Sequence, residues 1–473
     1  MLFSSTTFLY YFLPAVLLVY YGLLRRSRPL QNLFLTLASL FFYAWGEPRF
    51  VLVMLLSIGA NWLFGLGVSR SKARNRPRGA KIWVTAAVLF NLSVLFVFKY
   101  LTFTLKNLSP LLPRGFALPE IALPIGISFF TFQALSYVLD VYRGAGEVQK
   151  NIVHVGLYIS LFPQLIAGPI VRYQTVAAEI VHRRENTGDF FDGFARFVVG
   201  LSKKVLLSNS LSVFADYAFA HTGDLTAAYA WLGAVCYTLQ IFFDFSGYSD
   251  MAIGLGRMFG FHFLENFDYP YISRSVTEFW RRWHISLGTW FRDYVYFPMG
   301  GNRVSRRKHL LNLFAVWLLT GIWHGANWTF IAWGLMYFLL LAGEKLTGLD
   351  KARTGLWGTA ARRCYTLLFV MLGWVIFKSD SLAHAGQYFG AMLGANGTGL
   401  WDGLFLRDLR TALIPLAAAV LFSMPVANCV KKRFAHKGAL PQILYYLLLF
   451  GLFVLSVASI ESSAHNPFIY FNF

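Results

Sequence analysis

Charge is scarce in this 473-residue chain: 14% of residues are charged, against about 25% in ordinary soluble domains. Acids are scarcer still, 22 against 42 lysines and arginines, for a net charge of +20. Cysteine is nearly absent. Its three positions, Cys236, Cys364 and Cys429, show no CxxC or metal spacing, which excludes cysteine-built zinc sites and offers no disulfide framework. The metalloprotease pattern HExxH and any histidine cluster are missing, so no metal is expected. A Gly-x-Ser-x-Gly elbow is missing too, because Gly247-Tyr-Ser-Asp-Met lacks the closing glycine, and a Ser-His-Asp hydrolase is unsupported. Gly254-Leu-Gly-Arg-Met-Phe-Gly260 is one residue off the dinucleotide fingerprint and follows an apolar helical run. Its Gly256 and Gly260 suit a close helix contact instead. The start, Met-Leu-Phe-Ser-Ser, has no positive n-region, so the first apolar run reads as an uncleaved span.

What the chain has instead is apolar surface: 57% hydrophobic residues, 18% aromatic. Repeated apolar runs of about 18–20 residues, each able to cross a bilayer as a helix, make this an all-α polytopic integral membrane protein. The basic excess then reflects the positive-inside rule and anionic headgroups rather than nucleic acid. Spans fall at about 7–24, 30–45, 50–68, 82–98, 328–343, 364–378, 411–428 and 442–460. Arg25, Arg26 and Arg28, the run Arg70 to Lys81, the loop Arg303 to Lys308, the stretch with Lys345, Lys351, Arg353, Arg362 and Arg363, and the 431–437 loop with Lys431, Lys432 and Arg433 all fall on one side, the cytoplasm. Both termini are then outside, with Gly46 to Arg49, residues 99–122, and the stretch with Asp380, Asp402 and Asp408.

From Leu123 the runs are broken. Leu123 to Tyr137, Phe162 to Arg172, Phe243 to Gly256 and Glu265 to Arg274 carry Pro, Gly and polar residues amid apolar ones. Broken backbone at membrane depth is tolerated only against protein or a water-filled cavity. Residues 1–473 therefore read as one multi-pass membrane domain. Residues 123–340 form a core around a polar path, flanked by N-terminal spans (1–122) and C-terminal spans (341–473).

Two histidines sit where histidine is costly. His284 lies in Glu278-Phe-Trp-Arg-Arg-Trp-His-Ile-Ser-Leu287 and His324 in Gly321-Ile-Trp-His-Gly-Ala-Asn-Trp328. Helical continuation would put Trp280 on the face of His284, and Asn327 and Trp328 on that of His324. One reading is a pair of packing histidines in an aromatic belt. The other is a general base, since imidazole accepts a hydroxyl proton near neutral pH and desolvation keeps it neutral. Arg281, Arg282 and Arg306-Arg-Lys308 either hold a phosphorylated donor at the cytoplasmic mouth or mark topology. Asp244 and Asp250 either relay protons or pair locally.

These stretches resemble the membrane-bound O-acyltransferase (MBOAT) family. The matching runs are Trp280-Arg-Arg-Trp-His-Ile-Ser-Leu287, Tyr296-Phe-Pro-Met-Gly-Gly-Asn-Arg303 and Gly321 to Trp328. Met-Leu-Phe-Ser-Ser, Leu123 to Phe129, Leu161 to Ile170 and Phe243 to Gly256 resemble its bacterial branch that contains the alginate O-acetyltransferase membrane subunit. The resemblance covers at least residues 1–340 and weakens after about 345. It implies a tunnel through the membrane, His324 as the catalytic histidine and His284 as the second signature histidine. Trp280, Arg281, Arg282, Trp283, Asn302, Trp323 and Asn327, all within these runs, are the candidates for the substrate path. It further implies acetyl-CoA as donor substrate with no bound cofactor, an exported polysaccharide as final acceptor, and a separate extracytoplasmic transferase as partner. Asn327 is expected to orient His324, and His284 to hold the donor or shape the tunnel. D-alanyl transfer to teichoic acid from a carrier protein, or a transporter or flippase without enzymatic chemistry, are the competing readings.

Overall fold

The computed structural model describes residues 1–473 except 114, 351–354, 427–437, 463–468 and 470–473. The expected basic loop Lys431 to Arg433, together with Lys351, Arg353 and Cys429, lies outside the described residues. Among the described residues the chain is helical and contains no strand. Six helices are long and apolar enough to cross a bilayer, so this is a multi-pass membrane protein.

The chain packs as two compact units, one of Met1–Phe197 with Ser249–Leu264, the other of Val198–Tyr248 with Glu265–Phe473. The first unit holds α1 (Thr7–Leu23), α2 (Arg28–Gly46), α3 (Val51–Ala73), α4 (Pro77–Asn107), α5 (Ile127–Arg143), α6 (Ile152–Ser160) and α7 (Tyr173–His182). Two long helices, α8 (Thr187–Ala220) and α9 (Ala227–Met258), give residues to each unit. The second unit continues with α10 (Val276–Arg282), α11 (Ile285–Phe291), α12 (Arg306–His324), α13 (Trp328–Thr347), α14 (Leu356–Lys378), α15 (Leu382–Met392), α16 (Gly403–Phe422) and α17 (Ala439–Ser462).

Every expected span outside the masked residues corresponds to a helix, with two differences of character. Helices α1, α2 and α16 are not among the six bilayer-crossing ones, α1 being a shorter apolar helix; α2 buries Gln31, Asn32, Thr36 and Ser39, and these polar residues dilute its apolar face. Helix α8 joins the six although no apolar run announces it. Its charges are neutralised inside each unit: Arg196 pairs with Asp250 at 2.8 Å in the first, and Lys204 with Asp244 at 2.6 Å in the second. Local pairing is therefore where both aspartates go. Helix α4 runs on to Asn107 instead of stopping at Lys99, because Lys99 is buried and donates to Ser128 Oγ at 3.0 Å. Glycine is required at Gly126, whose φ is +74° and whose added Cβ would lie 2.8 Å from the Leu165 carbonyl oxygen. Two of the broken runs thus meet there, backbone against backbone. In the Gly254 to Gly260 run the close helix contact falls two residues early: Gly254 abuts the backbone of Gly193, while Gly256 faces the Phe263 ring and Gly260 follows the helix end with positive φ.

Candidate active site

The second unit assembles the histidines from two short helices and one tight hairpin. Helix α10 is only seven residues long, too short to be stable on its own, and is held from outside. Ser275 caps it by accepting from Glu278 N at 3.0 Å. Glu344, buried within apolar α13, accepts from the backbone N–H groups of Val276 at 2.6 Å and Thr277 at 2.8 Å. A carboxylate on orphan N–H groups at a helix N-terminus is favoured by hydrogen bonding and dipole together. The helix stops at Arg282, Trp283 is extended, and His284 adopts φ +47°, ψ +50° as the residue before α11. Trp280 and His284 therefore do not share one helical face as the spacing predicts. The Asn266 carbonyl and side chain accept from Ile285 N at 3.0 Å and Ser286 N at 3.1 Å, and so redirect the chain. A non-glycine residue in the left-handed region is strained, and such strain gathers at functional sites.

His324 ends α12, and α13 returns against it. Each glycine of the crossing admits the other helix's backbone: a Cβ on Gly321 would lie 2.5 Å from the Phe330 carbonyl oxygen, and one on Gly334 2.5 Å from that of Trp317. This close approach seats His324 against Trp333 (ring centroids 5.0 Å), Phe377 (5.2 Å) and its neighbour Trp323 (5.0 Å). His284 lies on the Trp323 ring too, at 6.1 Å, with Phe245 at 4.6 Å on another side. One indole thus touches both imidazoles, which are 2% and 5% exposed. Trp280 completes the cluster against Trp333 (5.4 Å), Tyr337 (4.8 Å) and Trp317 (4.8 Å). Trp283 is buried at its side on Trp374, at 4.8 Å. His284 falls outside the six bilayer-crossing helices, and burial alone holds its pKa well below the ordinary histidine value. It is a neutral imidazole at neutral pH. Its Nε2, the indole N–H groups of Trp280 and Trp333, and the Tyr337 hydroxyl are buried without hydrogen-bond partners among the described residues, a costly state that a polar substrate atom would relieve.

Other sequence candidates lie outside this cluster. Arg281 is exposed, and Arg282 is spent on ion pairs with Glu278 at 3.0 Å and Asp268 at 3.2 Å. Asn302 is exposed in the turn before α12. The amide that holds this turn is Asn312, donating to the carbonyls of Gly301 at 3.0 Å and Met299 at 3.3 Å. Asn327 does not extend the helix of His324: it caps α13 by accepting from Thr329 N at 3.2 Å and donates to the Asp380 carbonyl at 2.8 Å. The Arg306-Arg-Lys308 side chains are exposed in the first turn of α12, where the helix dipole disfavours cations. Sequence reasoning missed Asn266, Glu344, Trp333 and Phe377. Glu344 carried a usable signal, a lone acid within an apolar span. Among the described residues no group of three or more His, Cys, Asp or Glu is arranged to hold a metal.

The MBOAT, membrane-bound O-acyltransferase, family profile matches residues 8–379. The chain belongs to this family. Within the MBOAT family it is 39% identical to the probable alginate O-acetylase AlgI of Pseudomonas putida, over the whole of both chains. A peptidoglycan O-acetyltransferase of Helicobacter pylori is 31% identical over 100% of this chain and 98% of its own. A teichoic acid D-alanyltransferase of Bacillus subtilis is 28% identical over 55% of this chain and 70% of its own. The profile match reaches Ser379, beyond the point near residue 345 where the motif resemblance fades. It takes in the whole imidazole–indole cluster. The protein is an O-acyltransferase.

Proposed function

We propose that this O-acyltransferase moves an acetyl group from cytoplasmic acetyl-CoA toward a hydroxyl of an exported polysaccharide, alginate or a similar surface glycan. The observation that carries the reading is His324, packed at the end of a glycine-tight hairpin beside buried indole N–H groups. Histidine suits the step. Its imidazole takes the proton of the acceptor hydroxyl as that oxygen attacks the thioester carbonyl; the carbon–sulfur bond breaks, and the departing CoA thiolate receives the proton. Trp280 and Trp333 supply N–H donors for the carbonyl oxygen as charge builds on it. The full-length likeness to two polysaccharide O-acetylating relatives favours acetyl over D-alanyl transfer, where the likeness covers about half of the chain.

The exposed basic turn of Arg306, Arg307 and Lys308 suits the phosphates of a CoA donor at the cytoplasmic face. A separate extracytoplasmic transferase then carries the group to the glycan, and the membrane is the bacterial inner membrane. The test is CoA release from acetyl-CoA by the purified protein in lipid nanodiscs, with His324→Ala as control. Release that depends on His324 supports the reading. Activity only with an aminoacylated carrier protein, or glycan flux that persists in the His324 variant, would replace it with the D-alanyl or transporter reading.

A further inference from the structure

Asn266 lies in the segment between α9 and α10, 18 residues before His284, and is 1% exposed. Its Oδ1 faces three groups: Ser286 N at 3.1 Å, Ser286 Oγ at 2.9 Å and His284 Nδ1 at 3.2 Å. The first of these decides the chemistry. A backbone N–H only donates, so the side-chain atom it meets must be the amide oxygen rather than the nitrogen. That fixes the Asn266 flip, and an oxygen facing His284 Nδ1 requires Nδ1 to carry a proton. In a neutral imidazole the lone pair is then at Nε2. Nε2 is buried and without a partner among the described residues, as is Asn266 Nδ2. The amide leaves its own donors unmet while its oxygen serves the histidine and the turn around it.

We propose that Asn266 is a positioning residue of the acyl-transfer site, locking His284 in the Nδ1–H form so that Nε2 accepts a hydrogen bond from the incoming acceptor hydroxyl, holding it until His324 takes that proton. The proposal rests on the acyl-transfer reading given above. A bare lone pair attracts an O–H and repels phosphate oxygens, so donor phosphate is not what His284 holds. The left-handed backbone at His284 supports the same conclusion. Asn266 anchors both residues that follow, Ile285 N through its carbonyl and Ser286 N through its side chain, so ring orientation and tautomer are set by one residue. The groups facing the His284 ring are Phe245 from α9, Trp323 from α12, Asn266 and Ser286, none of them charged.

Two readouts test this in the full-length protein. The first needs no activity. Histidine 15N spectra of the labelled protein, with His284 assigned by loss of its signal in His284→Ala, should show an Nδ1–H tautomer that Asn266→Leu abolishes or mixes. The second is kinetic, with acetyl-CoA as donor and glycerol as a soluble hydroxyl acceptor probe. Asn266→Leu should lower kcat/KM for the acceptor by roughly 10–10³-fold, within the span of losses when a histidine is freed from its orienting partner. In a His284→Ala background the same change should cost less than about twofold. An equal loss in both backgrounds overturns the proposal, since a merely structural asparagine would act regardless of His284.

Asn266→Asp keeps the acceptor and adds a charge. It should retain most activity and move the acid limb of the pH profile upward by roughly one unit or more. If Asn266→Leu fails to assemble, this variant decides alone, and an unmoved limb overturns the proposal. An Nε2–H tautomer in the wild-type protein overturns it independently. Absence of CoA release with the Nδ1–H tautomer intact would instead count against the functional reading.

Discussion

Replacing Glu344 with alanine should destabilise the protein far more than replacing any acid at its surface. Glu344 accepts from two backbone N–H groups, Val276 at 2.6 Å and Thr277 at 2.8 Å, and is 2% exposed. Each N–H left buried without an acceptor costs about 1–3 kcal/mol, so alanine should cost roughly 2–6 kcal/mol. Glutamine keeps one oxygen but turns an NH2 toward the second N–H, and should cost about 1–3 kcal/mol by the same reasoning. Glu278, also tied to α10, is the internal control: its carboxylate is 24% exposed and pairs with Arg274 and Arg282. Exposed pairs are worth about 1 kcal/mol or less. Thermal unfolding followed by fluorescence-detected size exclusion should show Glu344→Ala melting more than about 4 °C below wild type, with Glu278→Gln nearly unchanged. Because α10 carries Trp280, CoA release should fall in the Glu344 variants even well below their melting point. A Glu344→Ala protein with wild-type melting and turnover would refute the idea that this carboxylate holds the helix.

Other expectations follow from the same contacts. His324→Ala should lower acyl transfer by about 10²–10⁴-fold, the usual loss for a general base, while membrane insertion and melting stay near wild type; near-normal turnover would reassign the base. Burial alone would raise the Glu278 carboxyl, but the Arg274 N–H and the Arg282 and Arg274 guanidinium groups bring it below its ordinary 4.5. Its stabilisation is then complete above pH 4.5 and is lost as pH falls through the lower folded value; Glu278→Gln should flatten that part of the stability–pH curve, its small loss of about 1 kcal/mol or less appearing at neutral pH and vanishing once the carboxyl is protonated. For topology, single cysteines at Ser71 and Gly397 in a chain without Cys236, Cys364 and Cys429 should label from opposite sides of sealed cells with an impermeant thiol reagent. Labelling of both from one side would undo the inside–outside count.

The helices and their order were readable because apolar length is a local property of the chain. Their ends were less so where the deciding partner is remote. Trp280 to Leu287 reads as one uninterrupted helix, with no proline or glycine to stop it. Yet it breaks at His284 because Asn266, far upstream, takes the N–H groups of Ile285 and Ser286. Helix α8 shows the same limit from the other side. Arg196 and Lys204 weaken its apolar signal, and their partners Asp250 and Asp244 lie 54 and 40 residues away. A charge counts against a span only until its partner is known.

The signature runs themselves mix two kinds of residue that look alike in sequence. In Gly321 to Trp328, His324 carries the chemistry proposed above, Gly321 admits the returning helix, and Asn327 caps that helix with its oxygen on Thr329 N. In Tyr296 to Arg303, Asn302 is exposed while Asn312, outside the run, holds the turn. Polarity alone marks all four amides, Asn266, Asn302, Asn312 and Asn327, as candidates near a polar path. What separates them is the partner each oxygen meets. Oxygens on Thr329 N or amide protons on backbone carbonyls build the frame; only the oxygen of Asn266 reaches a titratable ring. Orientation of His284 is therefore assigned to a residue before that histidine's own motif, and the amide inside the His324 motif is left to cap a helix.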